Sequence, residues 1–217
     1  MARWAVFDVD GTLLPKTSME KWFMITMIKR GFFPFANILF YILSALALAV
    51  KGNWEDAFKW NKQYLKDLPV HLVNDVGHKF FHRYIKPSLS IDGIEAINKY
   101  RSKDFKILIM SGSPDFLAKN LQNIYFPEYL IHTKLETNSG RYTGKILGLH
   151  PFGIRKTQIL EKLQSELEID FAESIVFANH HTDADHMKLF GEVVAVNPSL
   201  KLKKISANRG WKVEMWD

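Results

Sequence analysis

The feature that most constrains this chain is the place where its first strand stops. Arg3 to Phe7 is a short, β-rich apolar run that breaks at the acidic-glycine turn Asp8-Val9-Asp10-Gly11. That pattern reads as a buried strand ending in a loop. Strand signals return only at Phe105 to Met110, after an amphipathic stretch from Gly93 to Tyr100. Ser113-Pro114 then reads as a helix N-cap with proline at the first helical position. Leu130 to Glu136 and Arg141 to Ile146 read as a hairpin about Asn138-Ser139-Gly140. A helix follows over Ile154 to Leu167, a strand over Ser174 to Ala178, a helix over Asp183 to Phe190 and a strand over Val193 to Val196. Strands alternating with helices predict an α/β fold with a doubly wound parallel sheet. From about Ser18 to Tyr84 the pattern is helical, with glycine punctuation at Gly31 and Gly52. That stretch is then a helical cap over 16–87, inserted into a catalytic core made of 1–15 and 88–217.

Composition narrows the chemistry. The 217 residues suffice for one medium domain and a modest insertion. With no cysteine, disulfides, thiolate metal sites and thiol catalysis are excluded. A net charge of +6 suits anionic ligands. No nucleic-acid motif appears and the aromatics do not interleave with a basic stripe, so no nucleic-acid partner is expected. A strand within a few residues of Met1 leaves no room for a signal peptide, and a cytoplasmic location is expected.

In a doubly wound sheet the ligand sits at the carboxyl ends of the strands. Those ends carry Asp8 and Asp10, then Ser111-Gly112-Ser113, then Asn179 with Asp183 beyond it, while the long helix opens with Lys156. Together they make a phosphoryl-transfer kit. A carboxylate can attack phosphorus and split one hard displacement into two easier ones. Carboxylate and phosphate repel each other, so such a site needs Mg²⁺ on hard oxygen ligands. The leaving alkoxide needs a proton from a second carboxyl, and the equatorial oxygens need fixed donors such as Lys156, Ser111 and main-chain amides.

Phe7-Asp8-Val9-Asp10-Gly11-Thr12-Leu13-Leu14 resembles the DxDGT signature of haloacid dehalogenase superfamily phosphatases. Ser111-Gly112-Ser113 resembles that family's second motif, Lys156 its third, and Asn179 to Asp183 falls where its acidic fourth motif lies. The Gly140-to-Lys145 hairpin followed by the lysine helix is similar to the branch containing phosphoserine phosphatases. The resemblance implies a Rossmann-like core and hydrolysis of a small phosphate monoester through an aspartyl phosphate. It implies Asp8 as nucleophile and metal ligand, and Asp10 as general acid and base that offers its main-chain carbonyl to the metal. Ser111, Gly112 and Lys156 would hold the phosphoryl group, and Asp183 would order Lys156 and the metal shell. One departure stands out: Asn179 replaces the family's usual aspartate, which leaves a neutral ligand for Mg²⁺ and implies a lower affinity. Phosphoserine phosphatases carry an early cap glutamate where this chain has Thr17, with Glu20 coming later, so phosphoserine is not the expected substrate. A binding or regulatory protein on the same scaffold is the alternative that Asn179 motivates.

Other features carry two readings. His180-His181-Thr182-Asp183-Ala184-Asp185-His186 nearly matches an HxHxDH zinc pattern, but Asp183 stands where a histidine belongs, and loop histidines near the phosphate fit better. His78 and His82 share a helix face, read as solvated, as are Lys201, Lys203, Lys204, Arg209 and Lys212. Phe32 to Val50 approaches the ~20 residues that span a bilayer. A single crossing would part Asp8 from Lys156, so three readings remain. It is a buried cap helix, a homodimer contact, or part of a hairpin with Trp22 to Ile28 that dips into a leaflet beside Lys29, Arg30 and Lys51. The last would make the chain membrane-associated, with a lipid phosphate as substrate.

Overall fold

The computed structural model describes residues 1–50 and 59–217. Lys51 and Gly52, read above as a flanking cation and as helix punctuation, lie outside the described residues. Among those described, seven strands form one sheet: β1 Trp4–Asp8, β2 Lys106–Pro114, β3 Tyr129–Asn138, β4 Arg141–Leu147, β5 Ile175–Ala178, β6 Glu192–Val196 and β7 Lys212–Glu214. Their spatial order is β4-β3-β2-β1-β5-β6-β7. Every neighbouring pair is parallel except β3 with β4. The α/β doubly wound architecture expected from the alternation is therefore present.

All of β1 is buried, because it lies mid-sheet with covered faces. Its side chains alternate between two apolar clusters. Ala5 and Phe7 join Leu13, Phe23, Phe80, Phe177 and Trp216 on one face. Trp4 and Val6 join Leu108, Leu160, Val176 and Leu202 on the other. The chain leaves β1 for β2, β3 and β4 on one side and returns to β5, β6 and β7 on the other. The sheet thus reverses its winding at β1, which opens a crevice at that strand's carboxyl end.

The named helices are α1 Met19–Lys29, α2 Phe35–Val50, α3 Val70–Phe80, α4 Ile91–Arg101, α5 Ile154–Leu167 and α6 Leu200–Arg209. Hydroxyl caps start three of them: Ser18, Ser90 and Ser199 accept from the amides of Lys21, Gly93 and Leu202. The apolar interior of α1, α2 and α3 runs into that of the sheet without a break, through Phe23, Phe33, Tyr41 and Phe80. The hairpin docks on the same helical segment, where the Asp67 amide bonds the Tyr142 carbonyl at 2.8 Å. Its turn needs left-handed backbone at Ser139 (φ 47°) and Gly140 (φ 75°), as a two-residue loop does.

Two expectations are corrected. The strand does not end at Met110 with a cap at Ser113: it runs on through Pro114, which pairs with Thr133, and a short helix begins at Asp115. Asp183 to Phe190 is not one helix but a 3₁₀ turn, His181–Asp183, and a single α turn, Ala184–Met187. The chain must leave early there, because the Gly191 amide is tied to the Phe171 carbonyl as β6 begins. The basic end is solvated, as read. Its lysines and Arg209 are exposed, but they decorate α6 and β7, while Leu202 and Trp216 are buried.

Helix α2 carries no charged side chain. It buries Tyr41, Ala45 and Ala49 and turns Phe35, Phe40, Leu43, Leu46 and Val50 to solvent. A wholly buried cap helix is therefore corrected: one stripe is buried and the opposite stripe is exposed. No helix among the described residues is long and apolar enough to cross a membrane.

Candidate functional site

A cavity of about 650 Å³ opens at the carboxyl end of β1 and is lined by Asp8, Asp10, Gly112, Lys156, Asn179 and Asp183. Ser111 is buried beside it, at 1% exposure. Six of the seven expected site residues thus line one crevice, drawn from β1, β2, the start of α5 and the loop after β5, and Ser111 is the buried neighbour of Gly112 in the chain.

Lys156 organises the centre. Gly153 caps α5 and places Lys156 in its first turn, where the side chain is buried. Its ammonium donates to Asp8 Oδ1 and to Asp183 Oδ1, each at 2.7 Å. Burial alone would depress this ammonium, but Asp183 and Asp8 together hold its pKa above the ordinary lysine value. Asp8 carries the opposite strain. Burial pushes its carboxyl up to about 7, with the charges of Asp183 and Asp10 adding to the rise that Lys156 resists. Burial also acts on Asp183, yet Lys156 and His186 hold that carboxyl below its usual value.

Asp10 points elsewhere. Its Oδ1 accepts from the Met19 amide at 3.0 Å and its Oδ2 from the Ser113 hydroxyl at 3.5 Å. Burial raises its pKa in spite of the Met19 amide. Gly11, at φ +89°, lets the chain turn between Asp10 and Thr12, and a β-carbon there would collide with the Asn179 amide. Asn179 is therefore clamped against the first motif's turn. Ser111 Oγ accepts from the Ser113 amide at 3.1 Å, which shapes the turn that presents Gly112.

Among the described residues no three His, Cys, Asp or Glu side chains converge to hold a metal. The oxygen donors along the cavity are of another kind: Asp8, Asp10 and the Asn179 side-chain amide would supply them, with Asp183 engaged by Lys156. The buried carboxylates of Asp8 and Asp183 close on one buried ammonium with the half-buried Asp10 carboxyl beside them, and this set of hard oxygen donors fits Mg²⁺. The histidine run is arranged differently. Asp185 turns out to Lys188 at 2.6 Å. His186 is buried 3.9 Å from Asp183, and burial depresses its pKa to about 3. His180 lines the cavity and packs at a tilt against His181. His78 and His82 meet edge-to-face in solvent.

Two features had no motif to announce them. Glu20 lines the cavity, but its carboxylate is taken by the Lys62 ammonium at 2.6 and 2.7 Å and by the Tyr64 hydroxyl at 2.7 Å. His150 packs beside Gly112 in the loop that feeds α5, and the only sequence signal was its place ahead of Pro151.

Comparison with known proteins agrees with this geometry. The family model described as haloacid dehalogenase-like hydrolase matches residues 5–188. A histidinol-phosphatase of Neisseria meningitidis is 25% identical, over 98% of this chain and 98% of that protein. A phosphoserine phosphatase of Mycobacterium tuberculosis is 21% identical, over 96% of this chain and 69% of that protein. Among solved structures, a protein of unknown function from Bordetella pertussis superposes with a TM-score of 0.81 at 22% identity, covering 98% of both chains. A phosphoserine phosphatase holding an analogue of its phospho-aspartyl intermediate gives 0.63 at 20% identity, over 94% of this chain and 90% of that one. With the first-motif aspartates, the Ser111 turn, Lys156 and Asp183 gathered at one strand end, the chain belongs to the haloacid dehalogenase-like hydrolase family.

Proposed function

We propose that this chain is a Mg²⁺-dependent phosphatase that hydrolyses a small phosphate monoester through an aspartyl phosphate on Asp8. The observation that carries the reading is the Lys156 ammonium bridging Asp8 and Asp183 beside the Ser111-Gly112 turn. Lys156 and the Gly112 amide bind and orient the phosphoryl oxygens, and Asp8 attacks phosphorus in line with the leaving alcohol. Asp10, whose pKa is raised by burial, keeps a proton to give the departing alkoxide and later takes one from the attacking water. Asp8, the Asp10 carbonyl and Asn179 would hold Mg²⁺, which would supply the positive charge that lets carboxylate and phosphate approach. The test is release of p-nitrophenol from p-nitrophenyl phosphate with and without Mg²⁺. No metal-dependent turnover would leave a binding or regulatory protein as the reading.

Asn179→Asp adds a formal charge to the metal's oxygen set. Mg²⁺ should bind roughly tenfold more tightly or better, read by calorimetry as well as by activity. Unchanged or weaker binding would place Asn179 outside the ligand set.

A second reading concerns the α2 surface. A 16-residue helix without charge, exposing Phe35, Phe40, Leu43, Leu46 and Val50, lies after Lys29 and Arg30 at the end of α1. Apolar side chains beside cations suit an anionic leaflet and, with it, a lipid phosphate. Since Leu46 is 44% exposed, Leu46→Asp should leave the melting temperature within a few degrees while weakening co-sedimentation with anionic vesicles several-fold. Concentration-dependent dimerisation without vesicle binding would assign the face to a second copy instead.

A further inference from the structure

His150 is 2% exposed, lines the catalytic cavity, and has a ring nitrogen, Nε2, with no hydrogen-bond partner among the described residues. Its ring is held edge-to-face against Trp60, 5.3 Å between centroids, and lies over Phe152 at 6.1 Å. A β-carbon on Gly112 would sit 3.6 Å from His150 Cε1 and 4.0 Å from Nε2, so the ring edge adjoins the phosphate-binding turn.

The protonation of this ring follows from one hydroxyl. Thr133, fully buried on β3, has its Oγ1 2.6 Å from the Gly112 carbonyl and 2.6 Å from His150 Nδ1. The hydroxyl owns a single proton, and a carbonyl can only accept. If that proton went to the imidazole, two bare oxygens would face each other at bonding distance. It therefore goes to Gly112, and His150 Nδ1–H donates to Thr133. Nε2 is left as an unprotonated acceptor. Burial, with Lys62, Lys59, Arg155 and Lys156 around it, depresses the imidazole pKa to about 2 and keeps it neutral.

A buried acceptor without a donor is costly to maintain, and in a substrate cavity the missing donor belongs to the ligand. The dianionic phosphoryl group cannot supply it, because its ionised oxygens only accept. We infer that His150 Nε2 accepts a hydrogen bond from a hydroxyl or amino group on the leaving alcohol, one or two carbons from the ester oxygen. His150 is thereby a specificity-determining residue, and the substrate class is phosphate esters of diols, polyols or amino alcohols. The inference rests on the phosphatase reading above.

The test compares kcat/KM for 2-hydroxyethyl phosphate and 2-aminoethyl phosphate with that for ethyl phosphate, with p-nitrophenyl phosphate run alongside. In the wild type at least one donor-bearing ester should exceed ethyl phosphate by roughly tenfold or more, and the better one identifies the donor. His150→Phe keeps an aromatic ring against Trp60 and loses Nε2, so that ratio should fall to within about twofold of unity. If His150→Phe does not fold, Thr133→Val serves: it keeps the imidazole but frees its tautomer, and should lower the ratio about threefold or more. Donor esters no better than ethyl phosphate in the wild type, or a ratio that survives substitution, overturns the inference alone. No turnover of any ester overturns the phosphatase reading and the inference with it.

Discussion

Asp8→Asn yields a folded protein that no longer turns over phosphate esters, a loss of roughly 10⁴-fold or more. The amide matches the carboxylate in shape but cannot attack phosphorus, and no other carboxyl occupies its position at the end of β1. Lys156 keeps its bond to Asp183, so the centre does not lose its main ion pair. The stability effect has a definite sign. Burial raises the folded pKa of Asp8 from 3.8 to about 7, so its ionised form destabilises the fold as pH rises from the lower value toward the higher. A neutral amide removes that penalty. At pH 7.5 without metal, Asp8→Asn should melt at the wild-type temperature or above it. Beryllium fluoride with Mg²⁺ should raise the melting point of the wild type and leave that of the variant unmoved. Retention of more than a trace of turnover would mean that Asp8 is not the nucleophile.

The parts legible in the sequence share a cause. Asp8, Asp10, Lys156, Asn179 and Asp183 each lie at or just beyond a strand end or a helix start, and period and punctuation locate such places, while Ser111 lies inside β2 just after its last regular pairing at Met110. The parts that were not legible arise from contacts between distant segments. Glu20 reads as a free cap carboxylate until Lys62, brought in from 42 residues away, takes both of its oxygens. His150 looks like one more loop histidine until Thr133, on a different strand, fixes its tautomer. The α2 stripe shows a third limit. An uncharged apolar run has no periodic contrast, so the sequence cannot say which face is buried, and only the packing of Tyr41, Ala45 and Ala49 decides it. Ser113-Pro114 failed for the same reason. The dipeptide is a good local cap, but pairing of Pro114 with Thr133 in the sheet overrides local preference.

The second large effect is expected from Lys156→Met. Methionine fills much of the volume of the lysine stem, so packing in the first turn of α5 is largely kept, and the change isolates the charge. Its removal leaves Asp8 and Asp183, 9% and 5% exposed, facing each other with no ammonium between them. Breaking a buried pair by deleting one partner costs about 3–5 kcal/mol, which for a chain of this size is a fall of roughly 10 °C in melting temperature. The loss should depend on pH. Without Lys156 both carboxyls have folded pKa values above their unfolded ones, so each destabilises the fold once pH exceeds the unfolded value and is harmless below it. The gap between variant and wild type should therefore be wide at pH 7.5 and shrink by half or more near pH 5, where the carboxyls take up protons. Turnover should drop by about 10²–10³-fold, because a preorganised donor to the phosphoryl oxygens is gone. Thermal melts of both proteins across that pH range check the claim. A pH-independent gap would mean that the lysine acts by packing, and an equal melting point at pH 7.5 would mean that other groups, such as Lys59 at the cavity wall, already neutralise the two carboxylates.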